Sequence, residues 1–245
     1  MSRNFDLLQR AGKQYTLITP SSGDLPASNN GHRPLGLRNP GDEEVIKLVQ
    51  RVFVFTNSDA PRVVVFAGVQ GDKSSGICSR AGDALAAQGI GSVCLVDGNL
   101  RASSLHQLLG AGKGPGLTDA AVKPGPIRDF AVRVGSGNSW VVPPGSPSPD
   151  AQRLFSSDQM RLRMAELRKQ FDYVLIDAPP LSSYSDAVLL GQMADGIILI
   201  VEANSTRRDN ARIVQETLKS ANVKLLGAIL NNRSFPIPEA LYRKL

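Results

Sequence analysis

Short runs of consecutive apolar residues, many of them β-branched, recur along the chain without polar alternation. Strands of this kind are covered on both faces, as in a parallel sheet that helices enclose. Between the runs, apolar residues recur at intervals of three and four, which predicts amphipathic helices. The predicted strands are 63–66, 92–96, 173–176, 196–201 and 223–230. The predicted helices are 42–53, 77–88, 104–109, 160–170, 187–193 and 208–220.

Alternating strands and helices of this type predict a three-layer α/β/α sandwich with a mainly parallel sheet and right-handed crossovers. Residues 129–143 carry two further apolar stretches and predict an additional strand or ribbon. Residues 1–41 lack apolar periodicity and are rich in turn-forming Pro, Gly and Asn, so they predict a flexible arm, or a docking arm that folds on binding. The expected organisation is an arm at 1–41 and a single domain at 42–245.

Composition narrows the setting of this domain. No apolar run approaches the roughly 20 residues that cross a bilayer, and the first residues lack a signal-peptide pattern. We therefore expect a cytoplasmic protein with no transmembrane segment of its own. Cys78 and Cys94 lie in apolar patterns, which favours reduced, buried thiols. The net charge of +6 permits acidic partners, but no block of five basic residues is present, so nucleic-acid binding is not predicted.

The loop after the strand at 63–66 has the setting of a phosphate-binding loop. Ligands of parallel sheets bind at the carboxyl ends of the strands, and here a glycine-rich segment joins a buried strand to a helix. Backbone N–H groups of such a loop surround phosphate, a lysine reaches the terminal phosphates, and a hydroxyl ligates Mg²⁺. The strict pattern G-x-x-x-x-G-K-[ST] is not met, because Gly68 to Lys73 is one residue short and Asp72 precedes the lysine. A glycine-rich turn without a ligand is the alternative.

Two carboxylates follow buried apolar runs at neighbouring loops. Asp97 ends the second predicted strand of the domain and Asp177 ends the third. A carboxylate at such a position is costly unless it meets a cation or hydrogen-bond donors. Because Mg²⁺ prefers oxygen ligands, Asp97, Asp177 and the hydroxyl of Ser75 form a candidate metal site. The alternative is that each carboxylate caps a helix or pairs with a surface arginine.

Around these residues the chain resembles the bacterial tyrosine autokinases of capsule and exopolysaccharide systems. That family belongs to the P-loop proteins that also include the septum-site and partition ATPases. The similarity covers about residues 42–232. Residues 94–110 are similar to the family's second Walker-type motif, and residues 171–180 with 185–190 to its Walker B region. The segments similar to its last two strands are 194–201, 206–209 and 225–232.

The resemblance implies a P-loop NTPase-like fold, with Mg-ATP or ADP as the cofactor. It implies catalytic positions at Asp97 and Asn99, with Lys73 as the candidate cation. It also implies that the adenine is contacted by Asn231 or Asn232. The remaining residues expected to contact nucleotide are Gly68, Gly71, Asp72, Lys73, Ser74, Ser75, Gly76 and Arg101.

The chain departs from the family's pattern at the residues that carry charge. In the family's register the P-loop lysine falls on Ser74, its preceding glycine on Lys73 and its following threonine on Gly76. Only Ser75 keeps the metal-binding hydroxyl. The second aspartate of the D-x-D motif is Asn99, which accepts hydrogen bonds but carries no charge to a metal.

These departures favour a degenerate member of the family that regulates or scaffolds exopolysaccharide synthesis or export, with weak or no ATP hydrolysis. They leave ground-state binding of Mg-ATP or ADP possible, because the helix N-terminus, Ser75, Asp97 and Asp177 remain. The alternative is an active tyrosine kinase or ATPase that uses Lys73, with Tyr242 or a partner protein as the acceptor. A partition-type ATPase is a third reading. The resemblance implies an inner-membrane chain-length-determinant (co-polymerase) protein as the partner, a location at the inner membrane's cytoplasmic face, and a homo-oligomer as one arrangement.

Overall fold

The computed structural model describes residues 17–18, 40–54, 60–71, 73–135, 137–148 and 150–232. Asp72, Tyr242 and most of the predicted arm at 1–41 lie outside these described residues. Strands and helices alternate from residue 40 to residue 231.

The strands are β1 (Leu17–Ile18), β2 (Val63–Gly68), β3 (Val93–Asp97), β4 (Val132–Val134), β5 (Ser139–Val142), β6 (Tyr173–Ala178), β7 (Gly196–Glu202) and β8 (Leu225–Asn231). The α-helices are α1 (Pro40–Val49), α2 (Ser74–Ala87), α3 (Leu105–Leu108), α4 (Leu117–Ala120), α5 (Ala151–Phe155), α6 (Asp158–Gln170), α7 (Asp186–Gln192) and α8 (Arg208–Ser220). A π-helical turn, Gln50–Val54, extends α1, and a 3₁₀ turn, Ile127–Phe130, precedes β4.

The described strands form one sheet in the order β1-β8-β7-β2-β6-β3-β5-β4. All neighbours run parallel except β4 and β5, which form an antiparallel ribbon where an additional strand was predicted. β2 lies in the middle of the sheet and all six of its residues are buried. The mainly parallel sheet, with strands covered on both faces, is therefore confirmed.

Helices cover both faces of this sheet, as a three-layer fold requires. On one face, α1 and α2 contribute Leu48, Leu85 and their neighbours to a core that includes Phe66 of β2. On the other face, α6, α7 and α8 pack through residues such as Met160 and Leu218. No helix among the described residues combines the length and apolar character needed to span a bilayer.

Several elements differ from the sequence-based expectations. Helix α1 begins at Pro40, two residues before the predicted start at 42. The short helices α4 and α5 were not predicted, because four or five residues are too few to display a helical period. The predicted strand at 223–230 begins two residues later, at Leu225.

Arg163 of α6 is a basic residue that lies in the interior and not on a solvated face. Its side chain is buried, and its guanidinium donates to the backbone oxygens of Ala120, Lys123 and Gly125 at 2.7–2.8 Å. It also pairs with Glu166 at 2.7 Å. A planar group with five donors can satisfy several carbonyl oxygens together, so Arg163 fixes the turn that follows α4.

The carboxylate of Asp195 joins β2 and α6 at the end of the sheet opposite to the predicted site. Asp195, just before β7, accepts from the backbone N–H groups of Arg62 and Val63 at 2.7 and 2.8 Å. Arg168 at the end of α6 donates to both of its oxygens, at 2.8 and 3.1 Å. Burial acts to raise the pKa of Asp195, but the bonds from Arg168 and the two N–H groups outweigh it and lower this pKa.

Candidate functional site

The loop that follows β2 is held in a tight turn at the carboxyl edge of the sheet. Val69 N–H donates to the backbone oxygen of Ile200 at 2.9 Å, and Gly68 O accepts from Leu181 N–H at 2.9 Å. A Cβ on Gly68 would lie 2.8 Å from the backbone oxygen of Gly71, so only glycine fits there. Gly71 itself has a φ of +68°, in the left-handed region that favours glycine. Two of the three glycines predicted to contact nucleotide, Gly68 and Gly71, therefore shape this turn.

Lys73 and Ser74, at the start of α2, differ sharply in their surroundings. Lys73 precedes the helix, is exposed and makes no side-chain cap bond. Ser74 is 2% exposed, and its Oγ donates to the backbone oxygen of Ala178 at 3.2 Å. The residue that the sequence analysis assigns to the family's lysine position is thus a short side chain bonded to the end of β6. Gly76, by contrast, has open space where a Cβ would be.

Ser75 brings two of the predicted metal ligands together. Its Oγ donates a hydrogen bond to Asp177 Oδ2 and accepts one from Ser104 Oγ at 2.9 Å. Asp97 is the direct neighbour of Asp177 in the register of β3 and β6. Ser75, Asp97 and Asp177 are all buried, so the oxygens of the candidate metal site converge at the ends of two adjacent strands.

Asp97 is held by a histidine to which the sequence analysis assigned no role. Asp97 Oδ2 accepts from the backbone N–H of His106 at 3.1 Å and lies 2.7 Å from its Nδ1. Burial raises the pKa of Asp97, and the bonds from His106 oppose this rise. Asp97 Oδ1 is buried and has no hydrogen-bond partner among the described residues. The pairing joins a strand end to helix α3, and no local spacing in the sequence signals it.

These oxygens fit a magnesium ion. Mg²⁺ binds one or two carboxylates together with waters and phosphate oxygens, and the Ser75 hydroxyl and the unpartnered Asp97 Oδ1 are groups of this type. No group of three or more His, Cys, Asp or Glu side chains within the described ranges has an arrangement that would hold a metal ion. The site therefore suits an ion that arrives with a phosphate-bearing ligand rather than a resident metal held by protein alone.

The two polar residues that follow β3 serve the local structure. Asn99 is fully buried, and its Oδ1 accepts from the backbone N–H of Ala102 at 3.1 Å. Arg101 donates to the two carboxylate oxygens of the buried Asp186 at 2.8 and 3.3 Å, which raises the pKa of Arg101. Its guanidinium also lies 4.2 Å from the ring centre of Tyr184. A nucleotide contact by Arg101 stays a prediction.

Asn231 and Asn232 lie at the same edge of the sheet and share one partner. Nδ2 of each donates to Glu202, at 2.7 Å to Oε1 and 2.7 Å to Oε2 respectively. Sequence reasoning missed Glu202, because the pairing of β7 with β8 brings it next to Asn231 across 29 residues of chain. Adenine contact by these asparagines is likewise an untested prediction.

A cavity of about 310 Å³ adjoins the candidate metal site. It is connected to that site through His106, which lines the cavity and bonds Asp97. Its polar lining carries no carboxylate. The lining residues are Ser103, His106, Gln107, Lys113, Gly114, Pro143, Pro144, Gly145 and Pro147.

The fold is that of P-loop nucleotide-binding proteins. Its likeness to the solved kinase domain of the Escherichia coli tyrosine kinase ETK has a TM-score of 0.77 at 20% identity, covering 94% of this chain and 95% of that one. No protein-family model matches the chain.

The chain is similar in sequence to bacterial tyrosine-protein kinases. It is 27% identical over 181 residues to the tyrosine-protein kinase YwqD of Bacillus subtilis, covering 74% of this chain and 76% of that one. It is 24% identical over 200 residues to the tyrosine-protein kinase etk of Escherichia coli K12, covering 80% of this chain. The match spans 28% of the length of etk.

Proposed function

We propose that the chain is a nucleotide-binding, kinase-like regulatory subunit of exopolysaccharide synthesis or export, with weak or no phosphoryl transfer. It binds a magnesium nucleotide at the carboxyl edge of the sheet and responds to its presence without turning it over efficiently. The frame of the site supports binding, while the residues that would carry charge to the terminal phosphate support the loss of turnover.

The observation that carries the proposal is the contact between Ser75 and Asp177. In a P-loop, the hydroxyl next to the lysine is the one that meets the metal and its carboxylate. This contact supports a register in which Ser74 stands at the lysine position, and Ser74 is buried against Ala178. Phosphoryl transfer depends on neutralising charge at the terminal phosphates. Losing one such contact costs about 3–4 kcal/mol of transition-state stabilisation, or a factor of 10²–10³ in rate.

The remaining residues are sufficient for ground-state binding. The N-terminal end of α2, which follows the loop, would present backbone N–H groups to phosphate oxygens. Ser75, Asp97 and Asp177 would hold the magnesium ion, which neutralises phosphate charge when bound. Asn99 supplies a neutral amide where the family has a carboxylate, and it is engaged with Ala102. This chain therefore lacks the second charged group of that motif.

Titration calorimetry with Mg-ADP and Mg-ATP, followed by a radiolabelled phosphotransfer assay, tests the proposal. We expect nucleotide to bind and turnover to stay at background. The double substitution Lys73→Gly with Ser74→Lys restores the family's order of residues and should tighten ATP binding, while Lys73→Gly alone serves as the matched control.

Robust autophosphorylation that disappears in Asp97→Ala would overturn the proposal. The active-kinase alternative predicts that Lys73→Met abolishes turnover, because Lys73 would then supply the cation. The exposed position of Lys73 directly before α2 is the feature that makes this alternative worth measuring.

The proposal includes a setting for the subunit. By its family, the chain would act at the cytoplasmic face of the inner membrane with a chain-length-determinant protein, alone or as a homo-oligomer. Co-purification with that membrane protein, in the presence and absence of Mg-ADP, measures whether nucleotide regulates the association.

A further inference from the structure

The carboxylate of Glu202 fixes the orientation of two side-chain amides. Asn231 and Asn232 each direct Nδ2 to one of its oxygens, both at 2.7 Å. An ionised carboxylate only accepts hydrogen bonds, so it holds the NH₂ group of each amide and excludes the flipped arrangement. Each amide oxygen is consequently directed away from Glu202.

The backbone around the cluster of Glu202, Asn231 and Asn232 is also held in place. Asn231 O accepts from Ala203 N–H at 2.8 Å, and the N–H of Glu202 donates to Thr206 Oγ1 at 3.0 Å. Asn232 has a φ of 54°, a left-handed conformation that asparagine tolerates better than most residues. The two amides are therefore presented by a fixed turn rather than by a loose chain end.

The cluster lies within one nucleotide's length of the phosphate loop. Strand β7 neighbours both β2 and β8, and Val69 at the start of the loop bonds Ile200 of β7. Two strand spacings, about 10 Å, separate the end of β2 from the end of β8. A nucleotide whose phosphates bind at the loop is therefore long enough to place its base near Glu202 and the asparagines.

We infer that Glu202 is a positioning residue that sets base selectivity by keeping the amide oxygens of Asn231 and Asn232 toward the base as hydrogen-bond acceptors. This inference rests on the proposed nucleotide site. Adenine offers an exocyclic amine as a donor, whereas hypoxanthine carries an acceptor oxygen at the same ring position. A site built to bond an N–H group discriminates against a base that lacks it.

The inference predicts a preference that calorimetry can measure. The wild-type chain should bind Mg-ADP about tenfold more tightly than Mg-IDP, the size of one hydrogen bond. In Glu202→Gln, the NH₂ group of the new amide donates where a carboxylate oxygen accepted. The asparagine that faces this NH₂ must direct its amide oxygen to it, and so turns its own NH₂ away from residue 202. The ratio of IDP to ADP dissociation constants should then fall about fivefold to tenfold. Glu216→Gln is the matched control, because Glu216 pairs with Arg212 on the exposed surface of α8, and it should leave the ratio unchanged.

Two results would overturn the inference alone: a wild-type chain that binds ADP and IDP equally, or a Glu202→Gln chain with the wild-type ratio. Failure of the wild-type chain to bind either nucleotide would overturn the proposed function as well. If Glu202→Gln does not fold, Asn232→Gly removes one acceptor at an exposed position whose backbone suits glycine. It should lower the ratio by a similar factor, and an unchanged ratio in this variant also counts against the inference.

Discussion

Arg101 and Asp186 form a charge pair whose energy can be measured by removing the arginine. Asp186 is fully buried, and the side chain of Arg101 is 37% exposed. Deleting one partner of a fully buried pair costs about 3–5 kcal/mol, because it leaves an uncompensated charge in the interior. Solvent screening of the exposed part of Arg101 reduces this, so we expect Arg101→Met to lower the free energy of unfolding by about 2–3 kcal/mol.

Urea denaturation followed by circular dichroism at neutral pH provides the measurement. A double-mutant cycle with Asp186→Asn should give a coupling of about 2 kcal/mol between the two positions, since the residues are in direct contact. Arg212→Met is the control, because both Arg212 and its partner Glu216 are more than half exposed, and it should cost less than about 0.5 kcal/mol. A loss below about 1 kcal/mol in Arg101→Met, or a cycle without coupling, would refute the reasoning.

Three further predictions test the frame of the site. The hydrogen bond from Lys123 lowers the pKa of Asp119. The contribution of Asp119 to folding stability is therefore complete above about pH 4 and is lost as the pH falls below that. The difference in melting temperature between wild type and Asp119→Asn should accordingly become smaller from pH 7 to pH 3. Gly116→Ala should lower the free energy of unfolding by about 1–3 kcal/mol because its Cβ would lie 2.1 Å from a backbone oxygen, whereas Gly112→Ala, with open space, should change it by less than about 0.5 kcal/mol. Burial raises the pKa of Cys78 and Cys94, so neither thiol should react with a disulfide reagent at pH 8 until the chain unfolds, and rapid modification of the native chain would contradict their burial.

The layers of this fold were predictable because a strand that is buried on both faces consists of consecutive apolar residues. Val63 to Phe66 are four apolar residues in a row, and all four are fully buried in the central strand. The predicted bounds of helix α8 agree with the observed ones, Arg208–Ser220, because the helix is long enough to show a helical period. The short helices α4 and α5 do not reach that length.

The side-chain partners at the site were harder to predict, because they are set by the pairing of distant strands. Ser75 and Asp177 were expected together, and the start of α2 and the end of β6 do bring them into contact. Two contacts depend on the direction of the side chains: the bond between Asp97 and His106, and the carboxylate of Glu202 that two asparagines share. Spacing along the sequence does not reveal that direction. The burial of Arg163 has the same origin, since the carbonyl groups that it binds belong to a turn some 40 residues earlier.

The hydrogen bonds of Asp195 bear on which substitutions this fold tolerates. That carboxylate joins two strands and a helix at the end of the sheet opposite to the loop that follows β2. Substitutions in the loop therefore need not disturb the anchorage on which the architecture depends. The residues at the start of α2 can therefore change while the scaffold that presents them stays intact.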